Sequence, residues 1–127
     1  MKQVILDTNF ILTSLKEKID FFEEIKFLGM KILISKQVIN EIERIVNSKK
    51  KLHFRKDAIL ALKFLEKNKT SFRKINLLSY GKNTDKRIKN FADKNKNIVV
   101  ATLDKQLKQK IKNPKLVIRG KKRLEVV

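Results

Sequence analysis

Apolar residues along the chain follow two rhythms, short unbroken runs and longer stretches spaced three and four apart, which separate strands from helices. The first run, Gln3-Val4-Ile5-Leu6, ends abruptly in Asp7-Thr8-Asn9 and reads as a buried strand leading into a helix over Phe10 to Leu15. Ile19 to Leu28 carries Phe21, Phe22, Ile25 and Leu28 at helical spacing, with Asp20 as cap or first-turn acid and Gly29 as stop. Lys31 to Ile34, between Gly29 and Ser35, predicts a second strand. Ser35 then caps an amphipathic helix over Lys36 to Asn47, whose apolar stripe is Val38, Ile39, Ile42, Ile45 and Val46.

Asn47 to Lys56 is polar and basic and predicts a loop, which holds the single histidine, His53. Asp57 to Asn68 is helical, with Ala58, Ala61, Leu62 and Leu65 on one face and Ile59 and Leu60 widening it. Ser71 to Ile75 reads as a charged edge strand, and Leu77 to Asn83 as a loop marked by Ser79 and Gly81. Thr84 and Asp85 open a helix that buries Ile88, Phe91 and Ala92. Asp85, Ile88 and Ala92 share one row, so this acid is expected to extend the core stripe inwards.

Ile98 to Ala101 is continuously apolar, as a central parallel strand is, and ends in Thr102-Leu103-Asp104 much as the first strand ends in Asp7-Thr8-Asn9. Asp104, Leu107 and Ile111 form a helical row that Pro114 closes. Lys115 to Ile118 predicts a strand, Arg119 to Lys122 a turn, and Arg123 to Val127 a last edge strand. Strand and helix alternate with crossovers of helical length. The expectation is a three-layer α/β/α domain around a mostly parallel sheet of about five strands. The 127 residues suffice for a single domain, 1–127, with one core.

Composition sharpens this picture. Without cysteine there is neither a disulfide framework nor a thiolate metal site, and His53 has no second histidine to share a metal with. Asp7 interrupts the first apolar run far short of a signal-peptide core, and nothing later approaches a membrane span, so a soluble cytoplasmic protein is expected. The formal net charge is +19, from 32 Lys and Arg against 13 Asp and Glu. Such an excess attracts polyanions, and nucleic acid is the natural partner. Joint enrichment in Lys, Ile and Asn is also what a genome rich in A and T encodes, so charge supports that partner without proving it.

In so basic a chain each Asp is a minority choice. Asp7 sits at the C-terminal end of a strand, the edge where open parallel sheets bind ligands, although the same position is also the standard N-cap. Asp104 follows a strand expected to neighbour the first, and Asp85 begins the helix leading into it. Like charges gathered in one crevice cost energy unless neutralised, and a hard divalent cation such as Mg²⁺ or Mn²⁺ neutralises them. Glu41 and Glu43 fall on opposite borders of the apolar stripe of their helix. Periodicity does not choose between them.

Taken in order, Val4-Ile5-Leu6-Asp7-Thr8-Asn9, Val38-Ile39-Asn40-Glu41-Ile42, Asp85 seven residues before Ala92, and Val99-Val100-Ala101-Thr102-Leu103-Asp104 resemble the four acidic motifs of the PIN-domain ribonucleases. The resemblance implies that Asp7, Glu41, Asp85 and Asp104 are the catalytic carboxylates and the ligands of Mg²⁺ or Mn²⁺, with Thr8, Asn9 and Thr102 in support. It implies flap-nuclease-like chemistry, with water attacking phosphorus in line and leaving a 5′-phosphate on the product. The family often carries a second acid beside the third one. Here that neighbour is Lys86, which is expected to lower the local negative charge and weaken metal binding.

Phe10-Ile11-Leu12 and the basic Arg119 to Arg123 turn resemble archaeal stand-alone PIN proteins, which are similar to the nuclease that trims pre-ribosomal RNA in the eukaryotic small-subunit processome. That branch implies ribosomal or pre-ribosomal RNA as substrate. Lys49, Lys50, Lys51, Arg55, Lys121, Lys122 and Arg123 are the candidate RNA contacts. It leaves a second copy of the chain, a ribosome-assembly factor or an antitoxin as protein partner. The rival branch is the VapC-type toxin, which cleaves transfer or ribosomal RNA and is held by an antitoxin. A third reading is a non-catalytic RNA-binding scaffold, against which retention of all four acids weighs, since uncompensated buried carboxylates are costly. A haloacid dehalogenase phosphatase would need an acid where Asn9 stands, and a receiver domain would need an acidic pair at the first strand end.

Overall fold

Three large apolar residues in succession need cover on both sides of a sheet, and that requirement shapes the whole molecule. The structure, a computed structural model, describes residues 2–120 and 122–127. The strands are β1 (Gln3–Leu6), β2 (Lys31–Ser35), β3 (Phe72–Ile75), β4 (Val99–Ala101), β5 (Lys115–Arg119) and β6 (Arg123–Val126). Their order in the sheet is β3-β2-β1-β4-β5-β6, parallel except for the antiparallel β5–β6 pair. The sheet has six strands, the last being the edge strand expected over Arg123 to Val127, which folds back and pairs along β5.

The helices are α1 (Thr8–Lys16), α2 (Phe21–Phe27), α3 (Lys36–Val46), α4 (Leu52–Lys67), α5 (Thr84–Lys94) and α6 (Lys105–Lys110). Alternation along the central strands assigns them to two layers. Val4, Leu6, Ile32, Ile34, Val99 and Ala101 face a core built with α1 to α4, which includes Phe10, Phe21, Val38, Ile42 and Ala61. Ile5, Leu33 and Val100 face the opposite core, with Ile88 and Ala92 of α5 and Leu107 of α6. The three-layer α/β/α expectation holds.

Chain order makes β1 the pivot. The first crossovers move outward through β2 to β3, then α5 returns the chain to the other side of β1 to form β4. The gap between β1 and β4 at their C-terminal ends is therefore the topological switch point, where open α/β sheets leave a crevice.

Four local expectations need correction. α4 begins at Leu52 and absorbs the basic stretch up to Lys56, with His53 and Arg55 inside it, because Leu, Lys and Arg are good helix formers and no Gly or Pro intervenes. Ile59 and Leu60 are 38% and 60% exposed instead of widening the core face, since α4 packs on its inner side against α1 and α3. The loop expected over Leu77 to Asn83 holds a 3-10 turn at Leu78–Tyr80, with Leu77 fully buried just ahead of it. Asp85 is exposed, although Ile88 and Ala92 of the same row are buried, because it lies in the first turn of α5, at the end of the packed row. Among the described residues, no helix is long and apolar enough to cross a membrane.

Candidate active site

The register of the two central strands builds the site. Val4, Ile5 and Leu6 pair with Val99, Val100 and Ala101. Asp7 continues the ladder, its backbone N–H donating to the Ala101 carbonyl at 2.9 Å, which sets Asp7 beside Thr102. Both are buried. Asp7 Oδ1 accepts the Thr8 N–H at 2.8 Å and so caps α1, while Oδ2 accepts the Thr102 hydroxyl at 2.9 Å. Cap and candidate site residue are the same carboxylate.

The Thr102 hydroxyl also accepts the Asp104 N–H at 3.1 Å. Asp104 in turn caps α6, its Oδ1 accepting from Gln106 N at 2.9 Å and Leu107 N at 3.1 Å. One buried hydroxyl thus links the acids that end β1 and β4.

Glu41 and Glu43 separate clearly. Glu41 is half-buried on α3 and its Oε2 accepts the Thr84 hydroxyl at 2.6 Å, whereas Glu43 is exposed. Thr84 was legible as a helix-opening residue but not as a partner of Glu41, because the bond joins two elements 43 positions apart.

Electrostatics join all four acids. Burial pushes the Asp7 carboxyl up from 3.8 to about 6, with further repulsion from Asp85 and Glu41, while the Thr102 and Thr8 hydrogen bonds pull the other way. Asp85, although exposed as a whole, is also raised, first by desolvation of its carboxyl and then by Asp104 and Glu41. Lys110, the last residue of α6, opposes that rise.

These groups suit a hard divalent cation by their chemistry. The donors are all oxygens, two carboxyls are held above their usual range partly by neighbouring acids, and the buried Thr8 hydroxyl lacks a hydrogen-bond partner among the described residues. Among those residues no three acidic side chains form a ready-made cation cage. The fit is one of charge and donor type.

The remaining candidates lie around this centre. Asn9 is exposed in the first turn of α1 and, among the described residues, makes no side-chain hydrogen bond to Asp7. Lys49, Lys50 and Lys51 are exposed in the turn between α3 and α4. Arg55 is half-buried, its Nε without a partner among the described residues. Lys122 and Arg123 are exposed at the β5–β6 turn, which leaves the sheet at the same edge as Asp104 because β5 runs parallel to β4. Lys121 lies outside the described residues. A cavity of about 630 Å³ opens at the other end of the sheet, beside Gln3, Lys31 and Phe72, and contains none of the four acids.

Residues 4–122 match the family model described as a PIN like domain. The chain belongs to the PIN-like domain family. Other PIN proteins frame it on both sides of the expected divide. Ribonuclease VapC4 of Methanocaldococcus jannaschii is 36% identical, over 99% of this chain and 97% of that protein. The solved PIN domain endonuclease Utp24 is 29% identical with a TM-score of 0.77, over 98% of this chain and 90% of that one. VapBC2 from Rickettsia felis, solved bound to a DNA fragment from its promoter, is 19% identical with a TM-score of 0.60 over 89% and 98%, and shows the shared fold.

Proposed function

We propose that this PIN domain is a divalent-metal-dependent endoribonuclease that hydrolyses RNA phosphodiester bonds. The observation that carries the reading is the meeting of Asp7, Glu41, Asp85 and Asp104 in one electrostatic site at the switch point, with Asp7 raised to about 6. An endonuclease and a ribonuclease among its relatives support it.

Asp7, Glu41, Asp85 and Asp104 would hold Mg²⁺ or Mn²⁺. The bound cation supplies charge stabilisation to the phosphoryl oxygens and an acidified water. The chain supplies the rest. Thr102 holds Asp7 and the Asp104 backbone in one arrangement, and Thr84 fixes Glu41. The formal charge of +19 draws the RNA backbone to the protein.

Pre-ribosomal RNA is the substrate class we propose first, extending the likeness to the small-subunit processing nuclease. Strong structural agreement with Utp24 supports it. The VapC-type toxin is the second reading, favoured by the 36% identity to ribonuclease VapC4, and it would bring an antitoxin as partner. Selectivity separates them, since a processing enzyme prefers a precursor ribosomal RNA fragment and a toxin cuts mature transfer or ribosomal RNA.

The test is cleavage of a labelled mixed structured RNA in Mn²⁺, with chelator and an Asp7→Asn/Asp104→Asn double variant as controls. Both asparagines keep an acceptor for the caps, so folding survives. Cleavage that requires the metal and both aspartates is expected. Cleavage that survives in the double variant, or RNA binding without metal binding, would overturn the reading in favour of a contaminant or a scaffold.

A further inference from the structure

A groove of about 250 Å³ runs along the flank of α1, close to the crevice. Asn9, Leu12, Thr13 and Lys16 form one wall, and their spacing of three, one and three positions puts them on a single helix face. That face begins two residues after Asp7, so the groove opens at the rim of the acidic site. Phe54, in the first turn of α4, and Lys50, in the turn before it, form the facing wall, with Ile45 of α3 adding apolar surface.

Phe54 is the feature that needs explaining. It is 48% exposed at the end of a helix whose inner face is otherwise well packed, and His53 lies beside it, ring centres 4.1 Å apart. An exposed aromatic ring flanked by Lys16 and Lys50 combines the two elements of single-strand nucleic-acid binding, a stacking platform and a cationic track. The volume lies below the about 300–1,000 Å³ of sites for drug-sized molecules, and suits one base better than a longer segment. Asn9 and Asp57, on the same walls, offer hydrogen-bonding groups to a base edge.

We infer that the groove between α1 and the start of α4 seats an unpaired base of the RNA strand against Phe54, with Lys16 and Lys50 on the adjoining phosphates. The inference rests on the ribonuclease reading for its substrate class. It adds a positioning role: a base held there fixes which phosphodiester reaches the four acids, and confines cleavage to strands with an unpaired nucleotide at that offset.

The experiment measures binding by fluorescence anisotropy in chelator, so that no cleavage intervenes. The probes are a short labelled oligouridylate and an abasic ribose-phosphate strand of equal length. Phe54→Ala is expected to weaken oligouridylate binding about 5- to 100-fold, Phe54→Trp to restore it, and both to bind the abasic strand as the parent does. Lys16→Gln and Lys50→Gln are each expected to reduce the salt slope by about 0.7 on both probes. Equal melting temperatures exclude misfolding, which the exposure of Phe54 makes a minor risk.

Unchanged oligouridylate affinity in Phe54→Ala would overturn the inference and leave the groove to a protein partner. Equal losses on both probes would also overturn it, since stacking needs a base. The parent is then tested for cleavage in Mn²⁺. Phe54-dependent binding without cleavage would sink the nuclease and keep the groove, whereas cleavage with Phe54-independent binding would do the reverse.

Discussion

The Thr102 hydroxyl donates to Asp7 Oδ2 over 2.9 Å, so an uncharged side chain at the end of one central strand favours the ionised form of a carboxylate at the end of its neighbour. The bond favours the charged acid and holds the Asp7 pKa, already lifted to about 6, below what burial alone would produce. Thr102→Val removes the donor at nearly constant volume. The acid limb of the cleavage-rate profile is expected to move to higher pH, with a stability loss of about 1–3 kcal/mol from the buried polar atoms left unpaired. A pH–rate profile superimposable on the parent's would remove Thr102 from the control of Asp7.

Asp7 itself makes metal-free stability depend on pH in a defined direction. The folded value of about 6 exceeds the ordinary 3.8, so between those values the folded state keeps a proton that the unfolded state has lost. Stability from this group is therefore greatest below about pH 4 and declines as pH rises through about 6, by on the order of 3 kcal/mol in total. Asp7→Asn lacks the decline. Urea unfolding in chelator is expected to show the variant more stable than the parent above pH 6, with the gap closing towards pH 4; a constant gap would contradict the assignment. Comparing the two proteins cancels the effect of the remaining charge.

Basic residues in the α3–α4 turn give a salt-dependence test. If Lys49, Lys50 and Lys51 all contact phosphates, replacing them with Gln is expected to lower the salt slope of single-stranded RNA binding by about 2, at about 0.7 per contact. An unaltered slope would mean that the run is only solvated. The Lys50→Gln variant alone distinguishes the groove contribution from that of its neighbours.

Asn113 holds the frame behind the site. Its buried Nδ2 shares two N–H groups among the carbonyls of Ala92, Asn95 and Ile98 at 3.1, 2.9 and 3.0 Å, tying the end of α5 to the start of β4. Asn113→Ala removes those bonds, while the Ala92 and Asn95 carbonyls keep the backbone N–H groups of Asn95 and Ile98. A loss of about 2–3 kcal/mol in urea unfolding with unchanged denaturant dependence is expected. A loss under 0.5 kcal/mol would mean that water takes over the three bonds.

Local spacing was enough to specify the alternation of strand and helix, the caps at Asp20 and Ser35, and the strand ends at Asp7 and Asp104. All of these depend on contacts a few residues apart, which spacing records. The resemblance of the acidic motifs supplied the family, while periodicity alone left Glu41 and Glu43 unresolved. That choice became physical only when Thr84, far along the chain, reached Glu41 on α3. The helical start at Leu52 was hidden because basic composition suits a loop and an exposed helix equally well. Likewise the exposure of Asp85, the influence of Lys110 on it and the groove at Phe54 are products of how whole elements pack. Their partners are distant in sequence and close only in space, so the tertiary structure alone decided them.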